Sequence, residues 1–194
     1  MRLFERTFRI TGRTRVLDVG GSPLIWQFAS IRPRLTIVNV GVVEPSPWPI
    51  DFLVGDGRML PFEDGAFDIV FCNSVIEHVG THADQRRFAQ EIARVGRQYW
   101  VQTPNRRFPV ELHLMLPLVH FLPKSWQRRV VNRFTLWERL VRPSPQARAF
   151  YLEHFLNDLK LLDARQLKSF FPGATILAER VLGVPKSLIA FRAA

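Results

Sequence analysis

The sequence has few of the residues that build disulfide-rich, zinc-binding or membrane-spanning proteins. Among 194 residues there is one cysteine, Cys72, which excludes a disulfide framework and a cysteine-based zinc site. No stretch approaches the roughly 18 to 20 uninterrupted apolar residues that a membrane-spanning helix needs. The N-terminal stretch MRLFERTFRI lacks the apolar core of a signal peptide. These absences predict a cytoplasmic protein that is either soluble or peripheral to a membrane.

Acidic residues are also scarce, and most strongly so in one segment. Lysine and arginine number 27 against 17 aspartates and glutamates, which gives a formal charge of +10. The segment from Arg106 to Arg148 contains nine basic residues and only two acidic ones, Glu111 and Glu138, so its net charge is +7. A basic surface of this kind favours an anionic partner, such as phosphate, nucleic acid or an acidic membrane face. The alternative is a helix surface whose arginines face water.

The rest of the chain has the pattern of an α/β domain. Continuous apolar runs predict buried strands in TRVLDVGG, LTIVNV, DFLVGD, AFDIVFCN and RQYWVQTP. Helical spacing predicts helices in PLIWQFASI and QRRFAQEIARVG, and a later helix begins at Asp163 as its N-cap. Two further strands, TILAERVLG and KSLIAFRA, form a C-terminal hairpin. The alternation predicts a single domain over residues 1–194, with seven strands, mostly parallel, and helices on both faces.

Polar residues and glycines follow several of these strands. In an open parallel sheet, ligands bind beyond the carboxyl ends of the strands, where the strand order reverses. The first strand ends in Asp18, Gly20 and Gly21, and glycines there let the backbone approach a ligand. Asn39 ends the second strand, at the place where ribose hydroxyls are usually held. The dinucleotide fingerprint G-x-G-x-x-G is absent.

A family resemblance rests on four stretches that occur in this order: VLDVGG, GDGRMLPFEDGAFDIV, NSVIEHV and EIARVGRQYWVQTPN. Over Thr14 to Asn105 the chain resembles the class I S-adenosylmethionine-dependent methyltransferases. It is closest to the bacterial group with an LPF-x-D-x-x-FD-x-V stretch followed by EHV. The resemblance implies a doubly wound, Rossmann-like sheet, methyl transfer, and S-adenosylmethionine as the cofactor.

The same resemblance implies where the parts of the cofactor would bind. The positions that match the family are Asp18, Gly20 and Gly21 for the methionine part, Asn39 for the ribose, Asp56 and Gly57 for the adenine, and Asn73 and Ser74 beneath the sulfonium. The chain departs from the family pattern in its glycine loop, at Ser22 and Leu24, and in having Asn39 where an acid is usual.

Two histidines are candidates for a general base. His78 follows the fourth strand, and imidazole titrates near neutrality, so it can take a proton from a hydroxyl; alternatively it packs under the adjoining loop. His113 follows the fifth strand and either lines the acceptor pocket or lies on a surface loop. No metal is expected, because the first glutamate of a Glu-x-x-Glu-His motif is replaced by Ser74. In addition, adjacent side chains such as Glu77 and His78 diverge by about 100° on a helix.

Residues 105–161 form an insertion after the fifth strand, with aromatic and basic residues interleaved. Its aromatic residues include Phe121, Trp126, Phe134 and Trp137. The pattern predicts a helical cap over the active site, which would favour a small or lipid-like acceptor, and methyl transfer to it is expected at oxygen. An amphipathic basic segment with tryptophan is alternatively suited to peripheral contact with the inner face of an anionic membrane, and the two roles can coexist. Nucleic acid is disfavoured, because the Asn/Asp-Pro-Pro-aromatic stretch of adenine-directed relatives is absent and Cys72 lies in a buried strand. The alternatives are an RNA-directed enzyme that uses the basic insertion, and a cofactor-binding or membrane-associated accessory protein without turnover.

Overall fold

A computed structural model describes residues 1–41, 45–46, 48–133 and 135–193 of the chain. Phe134, one of the aromatic residues of the insertion, lies outside the described residues. The side chains of five residues of one helix are likewise not described: Phe150, Tyr151, His154, Phe155 and Asp158.

Seven strands form the main sheet. In chain order they are β1 (Arg15–Val19), β2 (Arg34–Asn39), β3 (Asp51–Val54), β4 (Phe67–Asn73), β5 (Gly96–Pro104), and the last two, β8 (Thr175–Val181) and β9 (Val184–Arg192). Their order across the sheet is β3-β2-β1-β4-β5-β9-β8. The pairs among β1 to β5 are parallel, whereas β9 is antiparallel to both β5 and β8. The predicted seven-stranded, doubly wound sheet with an antiparallel C-terminal hairpin is confirmed.

Helices cover both faces of this sheet. The helices are α1 (Arg2–Phe8), α2 (Pro23–Trp26), α3 (His82–Val95), α4 (Lys124–Arg133), α5 (Leu136–Val141), α6 (Pro145–Asp158) and α7 (Ala164–Phe170). On one face, Leu17 of β1 packs in a cluster with Phe88 of α3. On the other, Val16 of the same strand packs in a cluster with Phe4 of α1 and Trp26 of α2. Because successive side chains of a strand point to opposite faces, both must be apolar, which explains the unbroken apolar runs.

The first helical segment is shorter than the sequence pattern predicts. The stretch PLIWQFASI forms only the single turn Pro23–Trp26, because the amides of Gln27, Phe28 and Ala29 bond to carbonyls three residues earlier, as in a 3₁₀ turn. The helix Arg2–Phe8 at the N-terminus was not predicted. Its Phe4 packs edge-to-face against Trp26 and stabilises the second core cluster.

The insertion has helices α4 to α6 and a small antiparallel pair, β6 (Val110–Glu111) with β7 (Leu116–Pro117), that the pattern did not predict. It has an apolar cluster of its own, formed by Leu114, Leu116, Val119, Val131, Leu152 and Leu156. Its end is attached beneath the turn after β4, where the Lys160 amide donates to the Glu77 carbonyl at 2.7 Å. In the part of the chain that the structure describes, no helix is both long and apolar enough to span a bilayer.

Candidate active site

A cavity of about 550 Å³ lies beyond the carboxyl ends of the strands, where the order reverses between β1 and β4. This is the position at which open α/β sheets bind ligands, and its volume lies within the roughly 300–1,000 Å³ of small-molecule pockets. Most of the predicted site residues line it, namely Gly20, Asn39, Asp56, Gly57, Ser74, His78 and His113. Three predicted residues, Asp18, Gly21 and Asn73, are not among those that line it.

The turn after β1 approaches the cavity through Gly20. Its φ of +77° is a left-handed conformation that glycine adopts without steric cost. A Cβ atom there would lie 2.6 Å from both γ-carbons of Val75, which also lines the cavity. The Gly20 amide donates to the Val38 carbonyl at 2.7 Å and so attaches the turn to the end of β2. Only glycine leaves room here for a ligand against the backbone.

Asp18 lies behind this turn rather than in the cavity wall. The carboxylate is fully buried, and one oxygen, Oδ2, accepts a hydrogen bond from Trp26 Nε1 at 2.7 Å. Its other oxygen, Oδ1, has no hydrogen-bond partner among the described residues. Burial raises the pKa of Asp18 to about 7, against the opposing effect of the Trp26 bond. A Cβ on Gly21 would meet the carboxylate at 1.9 Å, so this glycine allows the turn to cover it. A cofactor role for Asp18 and Gly21 stays a prediction, and it would act through the shape of the turn.

Asn39 connects the end of β2 to the same turn. Its Nδ2 donates to the Gly21 carbonyl at 3.0 Å, and its Oδ1 accepts from the Val40 amide at 2.8 Å. Because an amide oxygen has two lone pairs, Oδ1 can still accept a bond from a ligand hydroxyl in the cavity. This is the chemistry that the predicted ribose contact needs, and the contact itself stays a prediction.

An ionic network forms the rim at the predicted adenine end. The guanidinium of Arg58 donates to both oxygens of Asp56 and lies 3.4 Å from Asp84 of α3. The hydrogen bond from Arg58 is the main cause of the lowered pKa of Asp56. Beside it, a Cβ on Gly57 would lie 2.4 Å from the ring of Phe88, so Gly57 is needed for the loop to pack on α3. Sequence reasoning missed Arg58, although its position two residues after Asp56 was a usable signal.

The end of β4 turns sharply into the cavity wall. Ser74 has a φ of +56°, and its amide donates to the Gln102 carbonyl at 2.9 Å, which holds it against β5. The strained Ser74 conformation places it and Val75 on the lining, while Asn73 stays within the strand end. Of the two residues predicted beneath the sulfonium, Ser74 is the one that reaches the cavity.

Glu77 lies in the 3₁₀ turn Ile76–His78 that follows, and it is fully buried. Its Oε2 accepts a hydrogen bond from Thr103 Oγ1 at 2.9 Å, and Oε1 has no hydrogen-bond partner among the described residues. Burial raises the pKa of this carboxyl to about 7. The buried Gln85 of α3 holds the turn in place by donating to the Ile76 carbonyl at 2.8 Å and to the Lys160 carbonyl at 3.0 Å.

The two candidate histidines, treated separately in the sequence, contact each other. The Nε2 atoms of His78 and His113 are 3.2 Å apart. His113 Nδ1 lies 2.6 Å from Glu111 Oε1, and the Glu111 carboxylate also accepts from the amides of His113 and Leu114. Burial opposes the charged form of His113, yet the Glu111 carboxylate raises its pKa overall. A carboxylate on Nδ1 favours the tautomer that donates from Nδ1, so Nε2 of neutral His113 accepts from His78.

Glu77 also reaches this pair, contrary to the expectation from helix geometry. Its Oε1 lies 4.0 Å from His113 Nε2, and one ligand-type atom from each of Glu77, His78 and His113 lies within 4.8 Å of the other two. The side chains of Glu77 and His78 start in different directions. Their length lets the ends converge, because Cβ directions do not fix the positions of terminal atoms.

Comparisons with known proteins support the fold and its chemistry. Residues 33–98 match the family model described as "Methyltransferase domain". A SAM-dependent methyltransferase from Methanosarcina mazei is 11% identical with a TM-score of 0.59, and the match covers 100% of this chain and 98% of that one. Magnesium protoporphyrin IX methyltransferase from Synechocystis PCC 6803, solved with bound SAH, is 12% identical with a TM-score of 0.53, and the match covers 92% and 73% of the two chains.

A protein of different activity has the same fold. The 4+2 cyclase SpnF is 18% identical with a TM-score of 0.53, and the match covers 91% of this chain and 56% of the cyclase. Structural likeness at these identities shows the fold alone, so the reaction class rests on the methyltransferase-domain match. That match covers residues 33–98, about a third of the chain, and together with the fold it supports a SAM-dependent methyltransferase with S-adenosylmethionine as cofactor.

Proposed function

We propose that the chain transfers the methyl group of S-adenosylmethionine to an oxygen of a small or lipid-like acceptor. The observation that carries the proposal is the placement of His78 and His113 in the wall of the cavity that Gly20 also lines. A base beside the methyl donor suits an oxygen acceptor, because a hydroxyl must lose its proton whereas a neutral amine can attack first.

The proposal gives two groups of residues different roles. One group, the cofactor cradle, surrounds S-adenosylmethionine, and the other takes the proton of the acceptor. S-adenosylmethionine supplies, when bound, an activated methyl group on a sulfonium. The Gly20 turn lets the backbone approach the cofactor. Ser74 and Val75 form the part of the cavity wall next to the acceptor. The pair of imidazoles, His78 and His113, takes up the proton of the acceptor hydroxyl at the Nε2 atoms that contact each other, and Glu111 on His113 Nδ1 stabilises the resulting positive charge.

The acceptor side of the proposal is supported by the insertion. His113 and Glu111 belong to it, so the insertion contributes directly to the cavity wall. The turn that carries His78 also contributes two apolar side chains, Val75 and Val79, to the lining of the cavity. Apolar side chains beside the two histidines favour an acceptor with a hydrocarbon or aromatic body.

The experiment that tests the function combines binding with product detection. Calorimetry should show one site for S-adenosylhomocysteine. Extracts of small molecules and lipids, incubated with the protein and methyl-labelled cofactor, should yield a labelled product whose label is on oxygen by mass spectrometry. A label confined to RNA would support the RNA-directed alternative. Cofactor binding without any labelled product would support the accessory alternative and contradict turnover.

Replacing His78 by glutamine is expected to reduce the rate of label transfer by about 100-fold or more, which is typical of losing a general base. Binding of S-adenosylhomocysteine should stay within about twofold, because the cradle is formed by other residues. The matched control is His82→Gln, since His82 bonds Gln85 on α3 and does not line the cavity. Equal transfer rates in the two variants would exclude His78 as the base.

We further propose a cytoplasmic location with peripheral contact to an anionic membrane face. Several large apolar side chains of the insertion are exposed, among them Leu118 (55%), Phe121 (53%) and Trp126 (56%). The guanidinium of Arg129 lies 5.9 Å from the Trp126 ring centroid, so a cation accompanies the aromatic group. Tryptophan beside arginine is the combination that favours the headgroup region of a bilayer.

Replacing both Phe121 and Trp126 by serine is expected to reduce the fraction of protein that sediments with phosphatidylglycerol-containing vesicles by at least about threefold, because exposed apolar area contributes to interfacial binding. Neutral phosphatidylcholine vesicles should retain little of either protein. The control pair is Leu24→Ser with Phe28→Ser, two exposed residues outside the insertion. Equal sedimentation of all variants, or none of the unaltered protein, contradicts the membrane contact.

A further inference from the structure

The cluster of Glu77, His78 and His113 has the composition and spacing of a metal site. It joins two residues of the turn after β4 to one residue of the insertion, so the sequence alone does not reveal it. One ligand-type atom from each residue lies within 4.8 Å of the other two. The two histidines also line the cavity, so an ion held here would lie at its wall.

The distance between the imidazoles fits joint coordination. Two nitrogens that each lie about 2.0–2.1 Å from one tetrahedral zinc ion are separated by about 3.3 Å. His78 Nε2 and His113 Nε2 are 3.2 Å apart. Glu77 Oε1 lies 4.0 Å from His113 Nε2, so it must move closer to complete the set.

Neighbouring residues hold two of the three side chains, His113 and Glu77, in place. Glu111 accepts from Nδ1 of His113 at 2.6 Å, which directs the Nε2 lone pair into the cluster, as carboxylates behind metal-bound histidines do. Thr103 holds one oxygen of Glu77 at 2.9 Å and leaves the other, which is fully buried and has no hydrogen-bond partner among the described residues, facing His113. A buried carboxylate oxygen of this kind is stabilised by a cation.

We propose that Glu77, His78 and His113 bind one divalent transition-metal ion, with Glu111 as the positioning residue for His113. Two imidazoles and one carboxylate suit zinc, cobalt or iron, whereas magnesium prefers a set of oxygens and water. The ion replaces the proton that the two histidines share in the metal-free protein.

The inference about metal binding does not depend on methyl transfer. Where both hold, and this step alone rests on the proposed function, an ion held by Glu77, His78 and His113 would be placed to bind the acceptor oxygen at the cavity wall. It would make the hydroxyl a stronger acid, as metal ions do for bound water. With the ion bound, His78 and His113 would be ligands rather than the base, so the hydroxyl proton would leave to solvent. The oxygen would form a bond to the methyl carbon as the carbon–sulfur bond breaks, and S-adenosylhomocysteine would depart.

The test uses the full chain after removal of metal with a chelator. Titration with Zn²⁺ by calorimetry should show one ion per chain, and Co²⁺ should give the visible absorption of a nitrogen- and oxygen-ligated site. His113→Gln should abolish the absorption, and Glu111→Gln should weaken Zn²⁺ binding by about 10- to 100-fold. His82→Gln, a histidine change outside the cluster, should leave both signals unchanged.

The outcomes separate this inference from the proposed function. Absence of stoichiometric Zn²⁺ binding, or binding that His113→Gln leaves intact, overturns the metal site and shows a proton-sharing imidazole pair. S-adenosylhomocysteine affinity is measured in the same samples. If it is retained while Zn²⁺ does not bind, the function stands and the metal site fails. If Zn²⁺ binds and no labelled product forms with either Zn²⁺ or Co²⁺ present, the metal site stands and turnover fails.

Far-ultraviolet circular dichroism of each variant verifies that the fold is intact, and Glu77→Gln provides a second ligand variant with the same shape.

Discussion

Replacing Gly20 by alanine is expected to weaken the binding of S-adenosylhomocysteine at least about tenfold, or roughly 1.4 kcal/mol. The added methyl group would lie 2.6 Å from both γ-carbons of Val75, so either the turn must retreat or Val75 must move into the cavity. The left-handed backbone at this position adds a strain of roughly 1–2 kcal/mol for a non-glycine residue. Calorimetry with S-adenosylhomocysteine measures the loss of binding.

Gly183 provides a matched control for the strain. Its φ is +81°, close to the +77° of Gly20, and no atom lies within 4 Å of the position of its Cβ. Gly183→Ala should therefore reduce the free energy of unfolding in urea by an amount similar to Gly20→Ala. It should keep its affinity for S-adenosylhomocysteine. Adding Val75→Ala to Gly20→Ala removes the two clashing γ-carbons and should restore part of the binding. Equal affinities in Gly20→Ala and Gly183→Ala would disprove the assignment of the cradle.

Replacing Asp18 by asparagine is expected to stabilise the protein near pH 8 and to have little effect near pH 4. The folded-state pKa of Asp18 is raised by burial from 3.8 to about 7, so the folded protein holds a proton that the unfolded chain has released. Stability from this group is present below pH 3.8 and is lost as the pH rises to about 7, by up to about 4 kcal/mol at 1.36 kcal/mol per pKa unit. Asparagine stays neutral and can still accept from Trp26 Nε1.

Urea unfolding at pH values from 4 to 8 measures this effect. The unaltered protein should lose up to about 1.4 kcal/mol relative to Asp18→Asn for each pH unit between 5 and 7. Asp163→Asn is the control, because Asp163 is the N-cap of α7, its pKa is lowered by the Gln166 amide, and asparagine is an equally good cap. It should not gain stability on the alkaline side. A pH profile of Asp18→Asn that runs parallel to that of the unaltered protein would contradict the buried, uncharged state of Asp18.

The strands, the sheet class and the last helix could be predicted because their signals are local. Apolar runs such as those of β1 and β4 are buried on both faces, and Asp163 begins α7 as predicted. The one-turn length of α2 could not be predicted. It results from packing, because Trp26 is fixed in a cluster with Phe4 and bonds the buried Asp18.

The sequence predicted which residues lie near the candidate site. It did not predict which of them line the cavity and which lie behind its wall. Position after a strand end predicts that a residue lies at the correct edge of the sheet, and Gly20, Asn39, Asp56 and Ser74 do line the cavity. It does not distinguish a residue in the wall from one behind it. Asp18 is behind the wall, because the turn that covers it carries Gly21, whose missing Cβ leaves room for the carboxylate.

The sequence by itself determined the order of strands and helices, the glycine turn and the residue types available at the sheet edge, since these follow from periodicity and local backbone preference. Only the tertiary structure decided which of these residues meet. His78 and His113 are 35 residues apart and contact each other because the insertion folds on its own apolar cluster and returns to the turn at Lys160. Glu77 joins them because burial holds it beside Thr103. Contacts between distant segments depend on how apolar faces pack, and no local pattern encodes that distance.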